Sequence, residues 1–198
     1  MINRFVCMLT FSVICCLSWL VNANDNIQQL TAINGDFLQS KNIKALKRPF
    51  NSTGSFVYLP QNGLLWQTLT PIASVKLFAK NGVFKLDKQG KMQKEAHLDN
   101  DFFLALFSAD QAQLLKYFSI VKADNVAQKN QTCLTLTPRS DTLHSLFNSI
   151  NLCSANEATE QNKIPEKITL VEPNGNTTEI NLTQSVTKVS ELELSYFN

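Results

Sequence analysis

DFFLALFSADQAQLLKYF, Asp101–Phe118, reads as helix in a chain of 198 residues that otherwise alternates apolar and polar positions with period two. Phe102, Phe103, Leu106 and Phe107 recur at helical spacing. Leu114, Leu115 and Phe118 resume the stripe after Ser108, whose hydroxyl suits it to cap a helix N-terminus. Two short helices joined at Ser108 are expected. On either side, Asn-Gly turns punctuate strand-like segments, so the aromatic helical pair is an insertion in a β chain. The functional question is what its apolar stripe covers.

Outward from this stretch, Ile27 and Leu30 suggest a short amphipathic helix that ends at Asn34-Gly35, and Asp36 to Ile43 then runs as a strand with Phe37 on one face. Pro49 and Asn51-Ser52-Thr53 are read as an interruption. Phe56 and Tyr58 alternate on one strand, Pro60 to Gly63 makes a turn, and Leu64 and Trp66 alternate on the next. Val75 and Leu77 precede Asn81-Gly82, a two-residue hairpin signal, with Phe84 and Leu86 beyond it. Downstream come a short strand opened by Ile120, a polar loop from Asp124 to Gln131, a strand to Thr137, and a helical turn around Leu143 to Phe147. A second polar loop is read from Ala155 to Lys163. The last third reads as strands over Ile168–Glu172, Thr178–Thr183 and Val189–Phe197, with Pro173 to Asn176 as a turn. The count is about ten or eleven strands, without internal repeats or a low-complexity linker.

The N-terminus has the pattern of a secretory signal: Arg4 is its only charge, Phe5 to Val21 is almost wholly apolar, and Val21-Asn22-Ala23 offers a cleavage site. Cleavage after Ala23 separates a signal peptide, residues 1–23, from a single domain, residues 24–198. An uncleaved anchor is the alternative, since about 17 apolar residues just span a bilayer. Three of the five cysteines leave with the signal, and Cys133 and Cys153 remain in an exported protein where oxidation is permitted. Paired antiparallel about a connection centred near Leu143, the two fall opposite each other, away from the face that carries Leu134, Leu136, Ile150 and Leu152. A structural disulfide is expected; a catalytic redox pair would use the closer Cys-x-x-Cys spacing.

The 18 basic residues become 17 without Arg4, against 16 acidic ones. This balance, with no basic tract, argues against a nucleic-acid partner. The two histidines, His97 and His144, lack partners at metal-ligand spacing, and no nucleophile elbow, phosphate loop or zinc-binding helix is present. No metal, cofactor or catalytic role is expected. The remaining signal is binding. Phe56, Tyr58, Trp66, Phe84, Phe102, Phe103, Phe107 and Phe118 form either an ordinary packed core or the wall of an apolar cavity under a helical cover.

At this point the order of features resembles a family, the LolA-like periplasmic carriers of outer-membrane lipoproteins. The resemblance rests on Gly35-Asp36-Phe37-Leu38-Gln39, on Gly54-Ser55-Phe56 leading to Leu64-Leu65-Trp66 and Pro71, and on Phe103-Leu104-Ala105-Leu106-Phe107 with Leu114 and Phe118. Leu134-Thr135-Leu136-Thr137-Pro138, the hairpin from Glu172 to Ile180, and a final strand ending at Phe197 complete it. It implies a mainly β fold with helical insertions: an incompletely closed antiparallel β-barrel with an α-helical lid. The chain departs from the family at Leu59, where the best-known carriers place a lid-latching arginine before the proline. It departs also at Thr132 in place of a tryptophan, and at Phe84-Lys85-Leu86-Asp87 in place of an aromatic-proline motif.

The function that the resemblance implies is a monomeric, non-catalytic periplasmic carrier with transient membrane-surface contact. It would take acylated lipoprotein or another lipid from an inner-membrane exporter to an outer-membrane receptor. The expected cavity and lid residues are Phe37, Phe56, Tyr58, Leu64, Trp66, Leu77, Phe84 and Leu86 from the first half of the chain. Phe102, Phe103, Leu106, Phe107, Leu115 and Phe118 come from the helical stretch, and Leu134, Leu136, Ile150 and Leu152 from the cysteine strands. The competing readings are an envelope interaction protein with a filled interior, and a lipid hydrolase for which no nucleophile and base are visible.

Overall fold

The computed structural model describes residues 32–95, 101–122, 131–155, 164–185 and 188–197. The expected signal peptide and N-terminal helix lie outside these residues, as do His97 and nearly all of the two polar loops. Eleven strands form one sheet in which every neighbouring pair is antiparallel. In chain order they are β1 (Ile33–Asn42), β2 (Phe50–Leu59), β3 (Gly63–Thr70), β4 (Ser74–Ala79), β5 (Gly82–Leu86), β6 (Met92–Glu95), β7 (Phe118–Lys122), β8 (Gln131–Pro138), β9 (Ser149–Ala155), β10 (Lys167–Val171) and β11 (Thr177–Ser185). Their spatial order is β6-β5-β4-β3-β2-β1-β11-β10-β9-β8-β7, so β1 joins the two halves and β6 and β7 are left as separate edges. The sheet does not close, as the reading of an incomplete barrel expects.

Between those edges in sequence lie α1 (Asp101–Ser108) and α2 (Gln111–Tyr117). The main core gathers residues from one face of both sheet halves together with Phe102, Ala105, Leu106 and Phe107 of α1 and Leu114 of α2. Covering this face is what the apolar stripe of the opening stretch does. The junction differs from the expected one. Ser108 ends α1, its hydroxyl donating to the Ala105 carbonyl, while Asp110 caps α2 by accepting from the backbone of Ala112 and Gln113. Ala109 between them sits at φ 49°, the left-handed turn that breaks the helix in two.

Three segments read as irregular are strand, or the reverse. Asn34-Gly35 and Asn51-Ser52-Thr53 lie inside β1 and β2, where Ser52 pairs with Gln39 and is buried. Long-range pairing on both sides of β1 overrides their turn chemistry. Val189–Phe197, read as a strand, contains α4 (Glu191–Ser195) instead. Ser190 accepts from the Glu193 backbone and the Glu193 carboxylate accepts from the Ser190 backbone, a capping box that starts a helix. The turn near Leu143 is α3 (Asp141–His144), capped by Ser140 and so beginning two residues earlier than expected. The C-terminal segment packs Val189, Tyr196 and Phe197 on the back of the sheet, against Val57, Leu65 and Leu77.

Cys133 and Cys153 stand opposite each other on β8 and β9 and are joined by a disulfide, with Cα atoms 4.1 Å apart. Leu134 faces Leu152 and Leu136 faces Ile150 on the core side, in the register expected from the sequence. The bridge closes a connection with a sequence separation of 20, which in the chain-entropy account is worth about 3 kcal/mol. Replacing both cysteines by serine should lower the stability read from the urea midpoint by about that amount; an unchanged midpoint would show that the bridge constrains nothing.

At the far end of β1, Lys41 donates to Glu172 at 2.7 Å, and the Asn176 and Asn174 side-chain amides donate to the same carboxylate. The Lys41 hydrogen bond, followed by those of Asn176 and Asn174, holds the Glu172 carboxyl below its usual 4.5. A depressed carboxylate stabilises the fold above that ordinary value and loses its contribution as pH falls through the lower, folded one. Thermal midpoints followed downward from pH 7 should therefore fall more steeply for the parent protein than for Glu172→Gln, which starts lower. Parallel curves would show that the ion pair does not couple to folding.

Candidate functional site: an apolar cavity under the helical cover

Strand pairing decides which side chains meet beneath α1. On β2 and β3, Phe56 is opposite Trp66 and Tyr58 opposite Leu64. Leu64 is in turn opposite Phe78 on β4. On the other half, Gln39 is opposite Ile180, Ile180 opposite Ile168, and Thr178 opposite Leu170. These rows face the same side of the sheet, and α1 lowers Phe103, Leu106 and Phe107 onto them. A cavity of about 180 Å³ remains, lined by Gln39, Leu64, Trp66, Phe78, Phe103, Leu106, Phe107, Ile168, Leu170, Thr178 and Ile180.

Aromatic packing sets one wall. The Phe37 ring stacks on Trp66 with centroids 3.8 Å apart, and Phe107 sits 5.5 Å from Phe56, 5.9 Å from Tyr58 and 5.9 Å from Trp66. Gly54, paired with Phe37, leaves room for that ring, since a Cβ there would meet both the ring and the Gln67 carbonyl. Phe103 leans on Phe78 at 5.5 Å, and Phe102 on Phe118 and Phe147 at 6.5 and 6.1 Å. The helix is thus fastened to the sheet by rings at both ends. The Tyr58 hydroxyl faces Ser108, at the end of α1, with the Asp110 carboxylate beyond; burial is the main cause that pushes this phenol above its usual range. Tyr58 lies beside Leu59, where the resembled carriers place their latching arginine.

Of the cavity residues expected from sequence, Leu64, Trp66, Phe103, Leu106 and Phe107 line the space. Phe37, Phe56, Tyr58, Phe102, Phe118, Leu134, Leu136, Ile150 and Leu152 are buried in the same core and pack around it. Four are placed elsewhere. Leu115 is exposed on α2. Leu77 and Phe84 are cross-strand partners on the opposite face, with the C-terminal segment, and Leu86, two residues beyond Phe84, shares that face. The β4–β5 hairpin is apolar on both sides, so alternation could not say which side faces inward; the pairing of Phe78 with Leu64 does. Phe78, Ile168, Leu170, Ile180, Gln39 and Thr178 were not expected at the site. Among the described residues, no group of three or more His, Cys, Asp and Glu could hold a metal, and no helix is long and apolar enough to cross a membrane.

No protein-family model matches the sequence, and no curated protein matches it. Solved structures do. The chain is similar to LolA superfamily proteins. One from Nitrosomonas europaea has a TM-score of 0.44 at 6% identity, over 86% of this chain and 91% of that one. A putative outer-membrane lipoprotein-sorting domain from Vibrio parahaemolyticus has a TM-score of 0.43 at 10% identity, over 83% and 89%. A chain of the Pseudomonas aeruginosa MucA/MucB complex has a TM-score of 0.45 at 14% identity, over 83% of this chain and 56% of that one, so the present chain spans about half its length.

If Phe107 fastens the cover, Phe107→Ala should cost about 3 kcal/mol by loss of buried ring contacts and alter the near-ultraviolet dichroism of Trp66. Urea unfolding checks the first effect. A substitution that leaves both signals in place would mean that the helix is held by other contacts.

Proposed function

We propose that this protein is a non-catalytic periplasmic carrier that takes acyl chains of lipoproteins or related lipids into the cavity and moves them from the inner to the outer membrane. The observation that carries the reading is the apolar space between the inner face of the sheet and Phe103, Leu106 and Phe107 of α1. Burial is worth about 0.8 kcal/mol per methylene, so an acyl chain crosses an aqueous compartment only inside such a container. Its cover is also removable in principle. An eight-residue helix has little stability of its own, so the same aromatic contacts that close it decide when it opens. The disulfide supports an oxidising compartment, and the signal pattern and the ordered family motifs of the sequence support export and cargo class.

A second reading, an envelope interaction protein with a filled interior, is favoured by the packing of Phe37, Phe56, Trp66 and Phe107, which already occupies one end of the barrel. Binding separates the two. Delipidated protein should take up a fluorescent acyl lipid saturably at one site. Leu106→Glu, which puts a charge in the cavity wall, should weaken uptake at least about tenfold with the circular dichroism of the sheet preserved. No saturable uptake by folded parent protein would sink the carrier reading in favour of the second.

A further inference from the structure

The cavity wall is not uniformly apolar, and its polar members are grouped. Along the inner face of β1, Phe37 is buried and Gln39 and Lys41 are half-buried, so the lining is more closed at its aromatic end. Thr178 stands opposite Lys41 on β11, diagonal to Gln39. Gln39 and Thr178, diagonal neighbours on adjacent strands, are thus the polar residues of the lining, and Thr178 is buried. Among the described residues neither side chain has a hydrogen-bond partner. Both offer a donor and an acceptor without charge.

Among the described residues, the cations on this face are paired or turned to solvent. Lys41 is 2.7 Å from Glu172, and Lys76, opposite Trp66 on the same face, is 2.9 Å from Glu95. Lys85, one strand further out, faces solvent. Among the described residues, no charged side chain lines the cavity itself. An ionised ligand head drawn against Gln39 and Thr178 would give up water without meeting an opposite charge, which is costly. A neutral carbonyl or hydroxyl would exchange its water for the amide and the hydroxyl at little loss. The volume limits the occupant too: a cavity of about 150 Å³ holds one benzene, so about 180 Å³ admits part of one chain with the cover down, not several chains side by side.

We propose that Gln39 and Thr178 form a head-group subsite that selects a single acyl chain ending in a neutral ester, amide or hydroxyl over one ending in a carboxylate. This rests on the carrier reading and adds the class of ligand. The chain tail lies against Trp66 and Phe107, and the polar end lies between β1 and β11.

The test is displacement of a fluorescent acyl methyl ester from delipidated protein at neutral pH by a monoacylglycerol, a free fatty acid and an alkane of equal chain length, each below its aggregation threshold. The monoacylglycerol should compete at least about tenfold better than the fatty acid. Gln39→Leu and Thr178→Val should each reduce that preference several-fold, and Thr178→Ser, which keeps the hydroxyl, should retain it. A fatty acid that competes as well as the monoacylglycerol, or a preference untouched by both variants, would overturn the subsite and leave the carrier reading standing. Failure of the parent protein to bind any of the probes would overturn both.

Discussion

Phe107 reaches from a short helix into three rings that belong to two adjacent strands, and the arrangement of the rest follows from that contact. A curved antiparallel sheet has two faces to satisfy. The outer one is largely polar or covered by the C-terminal segment, while the inner one carries two halves' worth of phenylalanine, leucine and isoleucine. Without the helical insertion that inner face would stand open to water. The insertion is too short to fold by itself, so sheet and cover stabilise each other, and the cavity is the space their side chains do not fill.

Much of this was legible in the sequence because it depends on local periodicity. The two helices within Asp101–Tyr117, the Asn81-Gly82 hairpin and the apposition of Cys133 with Cys153 each follow from spacing, and each is present, though Phe118 opens β7 and Leu115 is exposed. Facing direction was harder. Where an apolar residue alternates with mostly polar ones, as Phe37 does on β1 despite the exposed Leu38 beside it, the inner face is easier to read. On β4 and β5 both sides are apolar, and only the cross-strand register separates Phe78, inside, from Leu77 and Phe84, outside.

The other misreadings have separate physical causes. Asn51-Ser52-Thr53 has turn chemistry, yet all three pair with β1, and Thr53 also with Thr70 of β3, which holds the segment as strand. Glu-Leu alternation in the C-terminal segment mimics a strand, yet the reciprocal bonds of Ser190 and Glu193 start a helix there. Gln39 and Thr178 escaped notice for a different reason: polar residues on a strand look like solvent-facing ones until the neighbouring strands are in place.

Leaving a barrel unclosed has a cost that its edges reveal. An unpaired strand edge is a template for joining other molecules into larger sheets. Here one edge, β6, has four residues and carries Lys94 and Glu95, and the other, β7, has five and ends in Lys122. Short edges bearing charge are poor templates. The protein can thus leave its sheet unclosed without inviting its own copies to join the edges.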